Sequence, residues 1–271
     1  MMMRAIIMDL DNTLYSWMDA YAPSFWDLVT YLEETTCICR DDIINDFKRV
    51  FKVYGSVEIP NAIYELQLWS KLNTSDRNIC TLQNQAQIIF FDNFRSRLQL
   101  FPSVMQTLIS LKEKGVLLFG FSDAFAFWID YRLNTLEIIN LFDAVFATSN
   151  DAIENANIVI NRKISNRIFQ LSKEKAKPST AAIDQIICDY GLNRNNVVMV
   201  GDSIEKDVKT AQQAGIIDVW AKYGTQYCRE NGRILRRITP WEKKKQADES
   251  TIGKIVPTHT ILDFSEISIF I

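Results

Sequence analysis

The sequence predicts an α/β fold, a doubly wound parallel sheet with an inserted helical domain, and three observations support this prediction. Short runs of consecutive apolar residues are typical of strands buried on both faces of a parallel sheet. These runs alternate along the chain with segments of helical periodicity, as the βα units of such a sheet require. A long stretch of helical character interrupts this alternation once, near the N-terminus, and indicates an insertion.

Each predicted element rests on its own pattern of residues. The predicted strands are the continuous apolar runs Ala5–Met8, Val116–Phe121, Ala144–Ala147 and Val197–Val200. The predicted core helices are the segments Val104–Lys114, Phe127–Ile139, Thr180–Tyr190 and Glu205–Ala214. Gly215 follows the last helix directly, and glycine is common just past a helix C-terminus because it adopts the left-handed conformation.

The insertion lies between the first and second predicted strands. Aromatic and aliphatic residues recur there at helical spacing, with few glycines or prolines, and Pro102 marks the return to the main domain. We therefore predict a core domain of residues 1–16 and 101–271 and a helical cap domain of residues 17–100. A second long stretch, residues 150–176, contains the β-prone run Ile158–Ile160 and is compatible with either a hairpin or a flap.

Composition limits the kind of partner. The chain has 271 residues, 48% of them apolar, and a formal net charge of −3. Nucleic acids and anionic membranes favour strongly basic proteins, so a small molecule is the expected partner. No apolar run approaches the roughly 18 residues of a membrane span, and we expect a cytoplasmic protein. The oligomeric state stays open, and the basic residues after Tyr223 are expected to be a solvated helix face.

Neither cysteine nor histidine chemistry is expected. The five cysteines have no paired CxxC spacing that would form a zinc site, and we expect them to be buried reduced thiols. The one histidine, His259, lies in a predicted C-terminal loop without partners that would orient it for catalysis.

The strongest functional signal is the segment Asp9-Leu10-Asp11-Asn12-Thr13, which places two carboxylates where a buried strand ends. In open α/β sheets the carboxyl ends of the strands form the ligand crevice. Other polar residues occupy comparable places, namely Ser122, Lys177, Asp202 and, slightly further along, Asp207. Two carboxylates about 4 Å apart repel by roughly 4 kcal/mol at an effective dielectric of 20, so converging aspartates require compensation. A divalent cation and Lys177 would provide it.

These segments resemble the four motifs of the haloacid dehalogenase (HAD) superfamily, in the correct order. The matching segments are Asp9 to Thr13, Ser122, Lys177-Pro178 and Gly201 to Asp207, and the resemblance runs from about Ile6 to Tyr223. Each motif alone is short, but all four fall at the end of an apolar run or the start of a helix. The resemblance implies a Rossmann-like core with a helical cap inserted after the first motif.

The resemblance also implies a role for each residue. Asp9 would attack phosphorus and become a transient aspartyl phosphate, with Asp11 as general acid and base. Ser122, with Asp123 beside it, and Lys177 would bind the phosphoryl group. Mg²⁺ would be held by Asp9, Asp202 and the backbone carbonyl of Asp11. Thr13 and Asp207 would contact these residues rather than the metal or the phosphate, and Thr13 would help to shape the loop.

Asp11 favours a phosphatase over the dehalogenases of the superfamily, which lack the second aspartate because halide needs no proton on leaving. A phosphomutase of the same superfamily and a non-catalytic protein that binds a phosphorylated ligand remain alternatives. The expected substrate is a small phosphorylated metabolite. Aromatic residues of the first helical stretch are candidates for facing it, although such residues are more often core: Tyr15, Trp17, Tyr21, Phe25 and Trp26.

Overall fold

The structure, a computed structural model, describes residues 4–154, 163–239 and 255–271. Its seven strands are β1 (Ala5–Met8), β2 (Leu117–Phe125), β3 (Ala144–Thr148), β4 (Ile168–Leu171), β5 (Val197–Gly201), β6 (Ile217–Ala221) and β7 (His259–Ile261). They form one sheet in the order β4-β3-β2-β1-β5-β6-β7, and every neighbouring pair is parallel. The predicted α/β class and parallel sheet are confirmed.

Helices surround this sheet. The α-helices are α1 (Trp17–Thr36), α2 (Arg40–Tyr54), α3 (Asp76–Arg97), α4 (Val104–Glu113), α5 (Ala126–Thr135), α6 (Asp151–Glu154), α7 (Ala181–Asp189), α8 (Lys209–Ala214) and α9 (Arg229–Ile238). Short 3-10 helices cover Ala62–Glu65, Gln67–Lys71, Ile139–Leu141, Lys173–Lys175, Arg194–Asn196, Lys222–Thr225 and Phe264–Phe270. Helices α1 to α3 lie between β1 and β2, where the helical insertion is predicted. None of the helices in the described part of the chain is both long and apolar enough to cross a membrane.

The core has two layers because the central strand is buried on both faces. Side chains alternate along β1, so Ile6 and Met8 face one layer whereas Ala5 and Ile7 face the other. The first layer packs against α1 to α5 and α9, and the second against α7 and α8. The inserted helices therefore share one continuous apolar cluster with the sheet. The boundaries of the cap domain remain a prediction.

Three strands were not predicted from the sequence because they lie toward the sheet edges. β4 and β7 expose residues to solvent, so they lack a continuous apolar run, and β6 is interrupted by Asp218. The placement of His259 in a loop was wrong, since it lies in β7 with its ring against Phe270. β4 pairs in parallel with β3, so this described part of residues 150–176 is not a hairpin. The run Ile158–Ile160 lies outside the described residues.

Two further expectations need correction. All five cysteines are free and exposed rather than buried, and three of them, Cys37, Cys39 and Cys228, are helix caps, positions that face solvent. The second strand does not end at Phe121 but continues through Ser122 to Phe125, with a shift of register against β3 after Phe121. Such irregularities redirect side chains at the end of a strand.

Candidate active site

The site lies at the carboxyl end of β1, which is the switch point of the sheet. β1 pairs with β2 on one side and with β5 on the other, and the chain winds outward in both directions from there. This geometry brings the Asp9–Thr13 loop against the ends of both neighbouring strands. The amide of Asp9 donates to the carbonyl of Val200 at 2.9 Å, which fixes the start of the loop on β5.

Local hydrogen bonds hold the Asp9–Thr13 loop in shape. Asn12 has φ of 61°, a left-handed conformation that asparagine tolerates better than most residues. The Thr13 hydroxyl donates to Asp9 Oδ2 at 2.9 Å and accepts from the Asp202 amide at 3.2 Å. Gly224 packs against this loop so closely that a Cβ there would lie 1.9 Å from the Asn12 carbonyl oxygen. The first and fourth motifs are thus joined through Thr13, and Gly224 was not predicted as part of the site.

Lys177 is buried between two carboxylates. Its ammonium lies 2.5 Å from Asp9 Oδ1 and 2.7 Å from Asp207 Oδ1. Asp207 belongs to a π-helical turn, Ile204–Val208, that opens helix α8, and its Oδ2 accepts from the Ser203 amide. Burial opposes the charge of Lys177, but the carboxylates of Asp207 and Asp9 outweigh it and raise the pKa of the lysine. Lys177 is therefore a fixed positive charge next to Asp9.

A glycine makes the approach of Asp207 possible. A Cβ at Gly201, the last residue of β5, would lie 2.3 Å from the carboxyl group of Asp207. Any larger residue at this position would displace the carboxylate that holds Lys177.

Three carboxylates form a group that fits a hard divalent cation. Oxygens of Asp9, Asp202 and Asp207 all lie within 4.8 Å of one another. Burial, followed by the charge of Asp207, raises the pKa of Asp202 to about 7. Burial and the neighbouring charges of Asp207 and Asp202 also raise the pKa of Asp9, although Lys177 opposes this rise. Lys177 leaves part of the negative charge unbalanced, and oxygen donors of this kind suit Mg²⁺.

The side chain of Asp123 connects two motif segments. Its Oδ1 accepts from the Lys177 amide at 2.9 Å and its Oδ2 contacts the Lys206 ammonium at 2.7 Å. Burial opposes ionisation, but the charges of Lys177 and Lys206 prevail and lower the pKa of Asp123. An ionised carboxylate repels phosphate, so only the main chain of Asp123 is suited to a phosphoryl oxygen, and phosphate binding there stays a prediction.

Asp11 contacts Ser122 and a second residue, Arg132, that was not predicted from the sequence. Its Oδ2 accepts from the Ser122 hydroxyl at 3.4 Å, whereas its Oδ1 accepts from the guanidinium of Arg132 at 2.7 Å. Arg132 is completely buried on helix α5 and also pairs with Glu58, from the segment that follows α2. The signal in the sequence was a single arginine four residues after Trp128, on the helix face that also carries Ile129 and Leu133.

A cavity of about 730 Å³ opens beside Asp11. Residues 55–58 line its inserted side, and residues 123–125 line its sheet side. Of the five aromatic candidates, Trp17 lines this cavity. Tyr15, Tyr21 and Phe25 are buried core residues, and Trp26 lies partly buried under two arginine side chains.

Comparison with known proteins agrees with this geometry. The family model for haloacid dehalogenase-like hydrolases matches residues 3–215. The chain belongs to this hydrolase family. It is 23% identical over 226 residues to glyceraldehyde 3-phosphate phosphatase from Methanopyrus kandleri, covering 82% of this chain and 85% of that protein.

Solved structures of HAD proteins share the fold. A 2-haloacid dehalogenase from Pseudomonas syringae pv. Tomato DC3000 superposes with a TM-score of 0.59 at 17% identity, covering 99% of this chain and 98% of the other. A magnesium-bound HAD-hydrolase from Bacillus subtilis gives a TM-score of 0.53 at 13% identity, with coverage of 98% and 97%. At these identities the likeness concerns the fold.

Proposed function

We propose that this hydrolase is a Mg²⁺-dependent phosphatase that attacks small phosphomonoesters with the carboxylate of Asp9. The observation that carries the proposal is the pair of aspartates with separate environments. Asp9 contacts the Lys177 ammonium at 2.5 Å, whereas Asp11 lines the cavity with Oδ2 toward Ser122. The relative named as a glyceraldehyde 3-phosphate phosphatase supports the same substrate class.

Asp11 argues against dehalogenation, even though a haloacid dehalogenase shares the fold. A halide ion leaves without a proton, so that reaction has no use for an acid beside the nucleophile. An alkoxide leaving group does need one, and general acid–base catalysis typically contributes about 10²–10⁴-fold. A second carboxylate that faces the cavity therefore favours phosphate ester hydrolysis.

The proposed reaction has two displacements at phosphorus. First, an oxygen of Asp9 bonds to phosphorus, the ester P–O bond breaks, and Asp11 gives its proton to the departing oxygen. Then water attacks the aspartyl phosphate, Asp11 takes a proton from it, and phosphate and free Asp9 are released. Lys177 and Ser122 stabilise the phosphoryl oxygens in both steps, because both lie at the same end of the sheet as Asp9.

The carboxylates of Asp9 and Asp202 would hold the Mg²⁺ ion, with the main-chain carbonyl of Asp11 as a further ligand. Asp207 would support these ligands without binding the ion directly. The ion would neutralise charge, so that an anionic phosphate can approach a site that already contains several carboxylates. The raised pKa of Asp202, about 7, supports a binding site for positive charge at this position. The magnesium-bound HAD-hydrolase from Bacillus subtilis is consistent with the same metal.

Residues 17–100 would act as the cap that covers the leaving group. Trp17 and the segment 55–58 line the cavity opposite the sheet residues. A volume of about 730 Å³ is within the range of small-molecule sites, which supports a small phosphorylated metabolite as substrate.

The test is phosphate release from a panel of phosphomonoesters, with and without Mg²⁺. We expect Mg²⁺-dependent release by the parent protein and none above background by Asp9→Asn. Asp184→Asn is the matched control, because Asp184 pairs with Arg194 at the surface, and it should keep full activity. Release that survives Asp9→Asn would contradict the proposed nucleophile. Ester consumed without phosphate release would instead indicate a phosphomutase, and halide release from a haloacid would indicate a dehalogenase.

A further inference from the structure

Arg132 joins the predicted acid/base residue to the inserted helical segment. Its side chain is completely buried, with Nη1 at 2.7 Å from Asp11 Oδ1 and Nη2 against the carboxylate of Glu58. The guanidinium group is planar and offers donors in a fixed fork, so it can hold two carboxylates in a defined relative position. Asp11 is thus held through Oδ1 by a group other than the predicted phosphate-binding residues.

The contact with Arg132 distinguishes the two oxygens of Asp11. Oδ1 is held by the guanidinium, whereas Oδ2 lies 3.4 Å from the Ser122 hydroxyl. A carboxyl group gives or takes a proton through one oxygen at a time. Because Oδ1 is engaged, Oδ2 is the oxygen that faces the site of proton transfer.

Aromatic rings keep the guanidinium in place. Its central carbon lies 5.6 Å from the ring of Trp128, 5.8 Å from Phe94 and 6.0 Å from Trp17. These rings come from α5, α3 and α1, so inserted helices supply two of the three. Cation–π contacts and the absence of solvent leave Arg132 few alternative positions.

Glu58 is fixed as firmly as the arginine that it contacts. Its carboxylate accepts from the Trp17 indole at 2.7 Å, and its main-chain carbonyl accepts from the Trp128 indole at 2.7 Å. One tryptophan belongs to the insertion and the other to the core helix α5. The position of Glu58 therefore depends on contact between the inserted helices and the core.

We propose that Arg132 is a positioning residue for Asp11 and that Glu58, from the inserted segment, orients Arg132. Together they hold Asp11 Oδ1 so that Oδ2 exchanges the proton with the leaving oxygen and then with water. This inference rests on the proposed role of Asp11 as general acid and base. Loss of Arg132 should therefore lower kcat/KM most for the esters whose leaving group most needs a proton.

The experiment compares an alkyl ester, glycerol 3-phosphate, with an aryl ester, 4-nitrophenyl phosphate, whose phenolate leaves without a proton. For Arg132→Gln we expect kcat/KM to fall by about 10²-fold on the alkyl ester and by less than about tenfold on the aryl ester. Asp11→Asn should show the same selectivity. In the Asp11→Asn background, Arg132→Gln should add less than about threefold, because residues that act through one group are not additive.

Arg97→Gln is the control, since Arg97 pairs with Asp27 at 2.7 Å within the inserted helices. It should leave kcat/KM unchanged on both esters. Equal losses on both esters, or an unreduced effect of Arg132→Gln in the Asp11→Asn background, would overturn the proposal. If Arg132→Gln does not fold, Arg132→Lys and Glu58→Gln decide the matter through smaller losses that are still selective for the alkyl ester. If phosphate release by the parent protein did not require both Mg²⁺ and Asp9, the proposed function itself would be refuted.

Discussion

Asp9 and Asp11 contact two different buried cations, Lys177 and Arg132 respectively, and each cation contacts two carboxylates. Lys177 contacts Asp9 and Asp207, both of which lie at the ends of core strands or just beyond them. Arg132 contacts Asp11 from the same loop but also Glu58 from the inserted segment. Residues outside the inserted segment therefore supply the charges beside Asp9, the proposed nucleophile. The position of Asp11, the proposed acid/base residue, additionally depends on contact with the inserted segment.

This difference assigns the two cations to different parts of the reaction. Lys177 faces the carboxylate that would attack phosphorus, so its charge should matter whatever group leaves. Arg132 faces the carboxylate that would handle the leaving-group proton. The comparison can be tested by removing each cation and measuring which property of the protein responds.

The largest effect is expected from Lys177→Met. Without the ammonium, Asp9 faces Asp207 uncompensated and the phosphoryl oxygens lose a charged donor, so kcat/KM should fall by about 10³-fold. The loss should be similar for glycerol 3-phosphate and 4-nitrophenyl phosphate. Lys112→Met is the control, because Lys112 pairs with Asp143 at 2.9 Å outside the crevice. If Lys177→Met lowered kcat/KM only on the alkyl ester, Lys177 and Arg132 would no longer have different roles in the reaction.

Arg132→Met should have the second largest effect, on stability. It leaves Asp11 and Glu58 without their cation in a buried place, and breaking a buried ion pair costs about 3–5 kcal/mol. Adding Glu58→Gln should recover part of that cost, because one of the unpaired charges is removed. Urea unfolding measures both changes. Arg233→Met is the control, because it breaks an exposed pair with Glu230 and should cost less than about 1 kcal/mol. A similarly small cost at Arg132 would contradict the buried network.

Asp202→Asn should stabilise the metal-free protein. The folded-state pKa of Asp202 is about 7, above the ordinary value of 3.8, so its ionised form destabilises the fold. The folded state binds more protons between these values, and the parent therefore loses stability as the pH rises from about 4 to 7. The variant avoids this loss and should be more stable at pH 8 by up to about 4 kcal/mol, the equivalent of a rise of about three pKa units, with a correspondingly higher Tm and little difference near pH 4.

The Asp202→Asn experiment has a metal arm and a control. Mg²⁺ should raise the Tm of the parent protein after chelator treatment but should have little effect on the variant. Asp218→Asn is the control, because Asp218 is buried but accepts hydrogen bonds from Thr258 at 2.6 and 2.7 Å, so this change should destabilise. If both Asp202→Asn and Asp218→Asn stabilised the protein, carboxylate repulsion near Asp9 would not be the cause of the gain in stability.

The same comparison explains what could be predicted from the sequence. Asp9, Lys177 and Asp202 follow continuous apolar runs or precede a helix, so strand ends and motif order were sufficient to find them. Arg132 and Glu58 carry no motif, and each reaches Asp11 only through the packing of α5 against the inserted helices. Contacts that depend on tertiary packing leave at most a weak local pattern, such as the single arginine on an apolar face of α5. The edge strand β7 was not predicted for a related reason, because its exposed residues interrupt the apolar run.

The smallest effect is expected from a pair of tryptophans that differ in position rather than in chemistry. The Trp128 indole donates to the Glu58 carbonyl at 2.7 Å, and the Trp69 indole donates to the Ile63 carbonyl at 2.6 Å within the insertion. Replacing either by Phe removes one buried hydrogen bond, so each should cost about 1 kcal/mol in urea unfolding.

Only Trp128→Phe should also change the ratio of kcat/KM between alkyl and aryl esters, by about two- to fivefold. The upper limit follows because the variant removes from Glu58 one hydrogen bond worth about 1 kcal/mol. If Trp69→Phe changed the ratio equally, the inserted helices would act on Asp11 as a whole rather than through Glu58. If neither changed it, Arg132 would hold Asp11 without help from the insertion. The two tryptophans thus separate a route through Glu58 from general loosening of the inserted helices.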